Sequence, residues 1–172
     1  MLFRSRAAAG DRLELPFGQE DSGAEPGAMT EGKARRVAAL HLIGRRNLPV
    51  FRSTLDIAFA DPDARVRLAA AEAMSPPWRT ETLRAVVSAL GRERHPVVAQ
   101  GLVRALLAML KSPPADLPAE ERAAIVDVAL DRFGQCGWQT DMDLLDVVAA
   151  FPHKTAIPVL IEALDQIGRA HV

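Results

Sequence analysis

The chain has 172 residues, enough for one domain with a substantial core. It is 49% hydrophobic and 25% charged, which excludes a disordered chain, and at 5% aromatic with no tyrosine its core must be built from Ala, Leu, Val and Ile. The formal net charge of −1 offers no bulk attraction to nucleic acid or an anionic membrane, and the single cysteine, Cys136, excludes an internal disulfide or a multi-cysteine zinc site.

The two ends read differently from the middle. Met1-Leu2-Phe3-Arg4-Ser5 resembles the translation of a sequencing adapter, and Ile167-Gly168-Arg169-Ala170-His171-Val172 resembles the same adapter on the opposite strand. Codons for the two can be written as reverse complements. The expectation is that residues 1–5 and 167–172 are foreign, and that the rest is an incomplete fragment of a longer protein. Setting aside Arg4 and Arg169 leaves 19 basic against 22 acidic residues, a net charge of −3. Residues 6–29 carry Gly10, Gly18, Gly23, Gly27, Pro16 and Pro26 and read as a linker. Within them Arg12-Leu13-Glu14-Leu15-Pro16-Phe17 alternates like a short strand, either the last of a preceding domain or an extended tether.

From Thr30 onward the pattern is helical. Thr30 is placed to cap a helix reaching about Asn47, with Val37, Leu40, His41 and Gly44 on one face. Pro49 opens a second, with Phe51, Leu55, Ala58 and Phe59 in a stripe. Asp61-Pro62-Asp63 forms a tight turn with Asp61 as cap. The third helix then carries Val66, Ala69, Ala70, Ala73 and Met74, and Ser75-Pro76-Pro77 ends it. A fourth, from Thr80, carries Leu83, Val86, Val87 and Leu90 and stops at Gly91. Pro96 begins the fifth, with Val98, Leu102, Ala105, Leu106, Met109 and Leu110. Pro118-Ala119-Glu120-Glu121 opens the sixth, its acids opposing the helix dipole, with Val126, Leu130 and Phe133 following. Gly134 and Gly137 bracket a loop, and Thr140 with Asp143 resembles a capping box. Leu144, Val147, Val148 and Phe151 fill the seventh helix; Ile157, Leu160, Ile161 and Leu164 mark an eighth after Pro152. Eight helices with short breaks leave no room for a central sheet, and none is stable alone in water.

The stripes recur. Shifting the third helix forward by 32 residues places Val66 on Val98, Ala70 on Leu102 and Ala73 on Ala105. Shifting it back by 31 places Arg67 on Arg36, Ala69 on Ala38 and Ala70 on Ala39. Helices one, three and five are therefore counterparts, and the unit is a helix pair. The segment Asp61-Pro62-Asp63-Ala64-Arg65-Val66-Arg67-Leu68-Ala69-Ala70-Ala71-Glu72-Ala73-Met74 resembles the turn and second helix of a HEAT repeat, of the short kind common in bacteria. The echo weakens at Arg36-Val37-Ala38-Ala39-Leu40. At the fifth helix no ladder acid is read before Pro96, and Ala99 stands at the arginine offset. The resemblance covers residues 30–166. It implies an all-α, right-handed α-α superhelix (a HEAT- or armadillo-like solenoid) of about eight antiparallel helices. It also implies that Asp63 and Arg67 join a polar ladder between repeats, and that the second helices line a concave face.

No residue pattern asks for catalysis, a cofactor or a metal. His41, His95, His153 and His171 show no pairing at i, i+4 with each other or with Cys136. Cys136, beside Trp138, has no evident base. Asp141, Asp143 and Asp146 sit where helix starts favour acids. Arginines at 35–36, 45–46, 65, 67, 92 and 94 are interleaved with Asp61, Asp63, Glu72 and Glu93, and read as a solvated or inter-repeat set rather than a nucleic-acid groove. No apolar run reaches the ~18 residues of a membrane span. The expectation is a non-catalytic scaffold for an unidentified protein partner, cytoplasmic by default. The alternatives are a nucleic-acid-binding helical repeat, a regulatory module of a larger enzyme, or a relative of the HEAT-like bilin lyases.

Overall fold

The structure, a computed structural model, describes residues 29–46, 52–151 apart from 75, 77 and 115, and residues 157, 158 and 161. Among the described residues there are seven helices and no strand: α1 (Glu31–Arg46), α2 (Arg52–Phe59), α3 (Ala64–Glu72), α4 (Thr80–Arg92), α5 (Pro96–Leu110), α6 (Ala119–Arg132) and α7 (Trp138–Ala150). Ile157, Pro158 and Ile161 are helical, but most of the expected eighth helix lies outside the described residues, as do residues 1–28 and the expected helix start at Pro49 and Phe51.

The helices pack as two rows. α1, α3, α5 and α7 each lie against the next in one row; α2, α4 and α6 do so in the other. The rows are joined by neighbouring pairs, α2 with α3, α4 with α5 and α6 with α7. Short turns make this pairing natural, because a helix with one apolar stripe must fold back on its neighbour to bury it. α5 sits at the centre. It touches α3, α4 and α7, and its Val98, Leu102, Val103, Leu106 and Met109 are at most 1% exposed. Each such side chain contributes about 1.5–3 kcal/mol on leaving water.

Small residues set the spacing within the odd row. At Gly44 a Cβ would lie 2.9 Å from the Cα of Ala73, so α1 and α3 meet backbone to backbone. Lys33 meets Asp63 at the starts of the same two helices, so they run side by side in one direction. Ala69, Ala70, Ala71 and Ala73 are all buried, and Ala71 lies 3.6 Å from where a Cβ at Gly101 of α5 would stand. The alanine-rich pattern thus becomes close helix approach rather than a bulky core.

Several local expectations change. Asp63, not Asp61, is the N-cap of α3: its Oδ1 accepts from the Arg65 backbone N–H at 2.9 Å, while Asp61 Oδ1 accepts from the Asp63 N–H at 2.8 Å. Two acids flanking one proline thus divide the turn between them, one stiffening it and one capping the helix. Gly91 does not stop α4, which runs to Arg92 with Glu93 as C-cap. Thr140 is not a cap. It is buried inside α7, which starts two residues earlier behind Gly137, a glycine at φ 88°. Thr30 does cap α1, accepting from the Lys33 N–H at 3.4 Å.

Candidate interaction surface

The polar groups between rows form a ladder that begins in α1. Arg36 is 6% exposed, yet its Nε lies 3.1 Å from Asp61 Oδ2 in the turn before α3. One pair of helices later an arginine again meets a carboxylate in the turn before the next odd-row helix, now through two hydrogen bonds. Arg67 on α3 donates from Nε and Nη2 to the two carboxylate oxygens of Glu93, at 2.8 and 3.0 Å, in the turn before α5. Its Nη1 donates to the carbonyls of Asp61 and Pro62 at 2.9 and 3.1 Å, so one guanidinium ties two successive turns together. Glu93 also accepts from the backbone N–H groups of Arg94 and His95, at 2.9 and 2.8 Å. Asp63 adds a lateral contact, with Lys33 Nζ at 3.6 Å.

Charge states follow from these contacts. The side-chain hydrogen bond from Arg65 holds the Asp63 carboxyl far below the usual range; burial opposes it, and the Arg65 N–H and the charges of Arg65 and Lys33 reinforce it. For Glu93 burial alone would raise the pKa. The Arg67 hydrogen bonds, the His95 and Arg94 N–H groups and the Arg67 charge outweigh it and leave it lowered. The hydrogen bond to Glu93 in turn raises Arg67.

The resemblance picks out Arg67 but not Glu93 as its partner. The signal was nonetheless in the register, because a 32-residue shift carries Asp61 onto Glu93. Searching only the residue immediately before Pro96 misses it, since Glu93 stands three positions earlier. The ladder ends at α5, where Ala99 replaces the arginine.

Beyond it the α6–α7 loop is built otherwise. Arg132 is 3% exposed and has no acid partner among the described residues. Its Nη1 donates to Gln135 Oε1 at 2.9 Å, its Nη2 to Cys136 Sγ at 3.5 Å, and its Nε has no partner. Gly134 and Gly137, both at positive φ, turn the chain, and Asp141 accepts from the Gly134 N–H at 3.0 Å. Asp141 thus serves this loop. Asp143 and Asp146 lie further along α7, and no group of three or more His, Cys, Asp or Glu that could hold a metal occurs among the described residues. His41 is on α1, His95 before α5 and Cys136 in the α6–α7 loop; His153 and His171 lie outside the described residues. No helix among the described residues is long and apolar enough to cross a membrane.

Among the described residues, the odd row borders two concavities. One, of about 290 Å³, lies between α3 and α5 over Leu68, Ala71, Glu72, Val97, Gln100 and Arg104. The other, about 560 Å³, runs along α1 over Met29, Ala34, Val37, Ala38, His41 and Arg45. They adjoin where His41 Nδ1 lies 4.0 Å from Glu72.

The near-zero net charge conceals a segregated map. Residues 29–111 hold fourteen Lys and Arg against seven Asp and Glu, a net +7; residues 112–151 hold two against eight, a net −6. No family model matches the sequence, and no curated protein or solved structure is found to match it.

Proposed function

We propose that the chain is a segment of a right-handed HEAT-type α-solenoid acting as a non-catalytic scaffold for a protein partner. The reading is supported by the two-row packing, by the Asp-Pro-x-x-x-Val-Arg pattern at 61–67, and by the recurrence of one arginine–carboxylate contact at Arg36–Asp61 and Arg67–Glu93. The observation that carries it furthest is the groove between α3 and α5. Side chains of two helices in one row line it, Val97 is 49% exposed beside it, and Arg104 and Glu72 edge it with opposite charges. An exposed apolar residue rimmed by charge is the composition of a protein-binding patch. Stacked helix pairs present such surfaces without enclosing a reaction chamber.

The test is affinity capture with the full chain and with Val97→Glu and Arg104→Glu. Both positions are exposed, so the fold tolerates the changes. A partner retained by the wild type and lost by both variants supports the reading. Identical captures, or turnover of a substrate that neither variant affects, would sink it.

A nucleic-acid-binding reading has one observation in its favour, the net +7 of residues 29–111. It predicts DNA affinity falling steeply with salt. Absence of binding at low salt removes it.

A further inference from the structure

We propose that copies of this chain associate head to tail, with Trp138 of one copy seated in the α1 groove of the next. The proposal rests on the charge map and two exposed surfaces, not on the scaffold reading, so either can fail without the other.

The groove along α1 is apolar at one end, with Met29, Ala34, Val37 and Ala38, and basic at the other, with His41 and Arg45. Met29 is 48% exposed. Glu72 lies beside His41, whereas Arg45 is exposed and has no ion-pair partner among the described residues. The occupant this calls for is an apolar group carrying a nearby carboxylate.

The acidic segment of the same chain supplies one. Trp138, at the start of α7, is 63% exposed, more than any other large hydrophobic residue among those described. It follows the loop that leaves α6, where Asp131 is exposed, and Asp127 is exposed one turn earlier on α6. An exposed tryptophan is unfavourable in water and is the residue type most often found as the anchor of an interface. The two surfaces belong to segments 29–111 and 112–151, of net +7 and net −6, so two copies attract when the acidic segment of one meets the basic segment of the other and repel when like segments meet. A contact between different surfaces of identical copies is heterologous. It leaves a free groove at one end and a free tryptophan at the other, so it propagates into chains or closes into a ring.

Sedimentation of the full chain at about 50 mM salt tests this, with the result expected to be association that grows with concentration. At about 1 M salt it should dissolve, since charges are screened beyond about 3 Å. Two exposed positions separate the surfaces. Trp138→Ala removes the anchor, and Ala38→Glu fills the groove with a repelling acid. Each variant alone should be monomeric or associate at least about tenfold more weakly, with unchanged helicity. Mixed in equal amounts they should form a dimer and stop there, because the mixture holds one intact groove and one intact tryptophan per pair. A wild type that stays monomeric at low salt overturns the proposal. So does association indifferent to both substitutions, or a mixture that remains monomeric.

Discussion

Between α1 and α5 the turns entering α3 and α5 are each tied to the preceding odd-row helix by an arginine and a carboxylate, whereas between α5 and α7 the one guanidinium buried among the described residues has no acid partner among them. Arg36 and Arg67 are neutralised by Asp61 and Glu93. Arg132 rests on an amide oxygen and a sulfur. The difference teaches that apolar stripes and polar ties are separable. α5 and α7 pack closely without a ladder, so burial alone sustains the row, and the ladder fixes how the turns sit on it.

The largest effect in the laddered region is expected from Arg67→Ala. Glu93, 6% exposed in the wild type, would keep only two backbone N–H groups as partners for its charge. Losing one partner of such a pair costs about 3 kcal/mol, read as a shift in the urea midpoint without a change in slope. Gly44→Val comes next. The added side chain meets the Ala73 backbone at a place where nothing flexible can yield, and a loss of about 2 kcal/mol is expected from overpacking.

Acid gives a smaller, graded effect. Asp63 and Glu93 both have lowered pKa values in the folded chain. The stability they contribute is therefore complete above the unfolded carboxylate values near ~4 and lost as pH falls through the folded ones. Amide protection factors, referred to the intrinsic exchange rate at each pH, should fall in α3 more than in α7 as pH drops below about 4. An equal fall in both helices would show that Asp63 and Glu93 do not carry this local stability. The smallest expected change is Arg132→Met. Replacing a buried cation that has no acid partner among the described residues with an apolar chain of comparable length should leave thermal stability unchanged or raise it. A loss as large as that of Arg67→Ala would erase the contrast between the two regions.

The helices were legible because each carries a stripe at helical spacing: Leu83, Val86, Val87 and Leu90 of α4 are all buried, as are Val98, Leu102, Leu106 and Met109 of α5. Boundaries were less so. Thr140 has the chemistry of a cap, but Gly137 at positive φ lets the helix begin earlier and draws Thr140 inside. The turn at 61–63 was placed correctly, yet two acids compete for one cap and only geometry separates them. Of the interaction surface, the row of counterpart helices followed from the 31- and 32-residue shifts. The grooves did not, since both depend on which exposed residues of different helices come together. The opposed charges of segments 29–111 and 112–151 were present in the sequence but nearly cancel in its total.

The account depends on Arg67 and Glu93 acting as one unit across successive turns. A double-mutant cycle tests this most directly: urea unfolding of the wild type, Arg67→Ala, Glu93→Ala and the double variant. A coupling of at least about 1 kcal/mol is predicted, with the double variant less destabilised than the sum of the two single ones. Effects that add to within about 0.5 kcal/mol would contradict it, and would reduce the ladder to contacts made after the helices have already found their places.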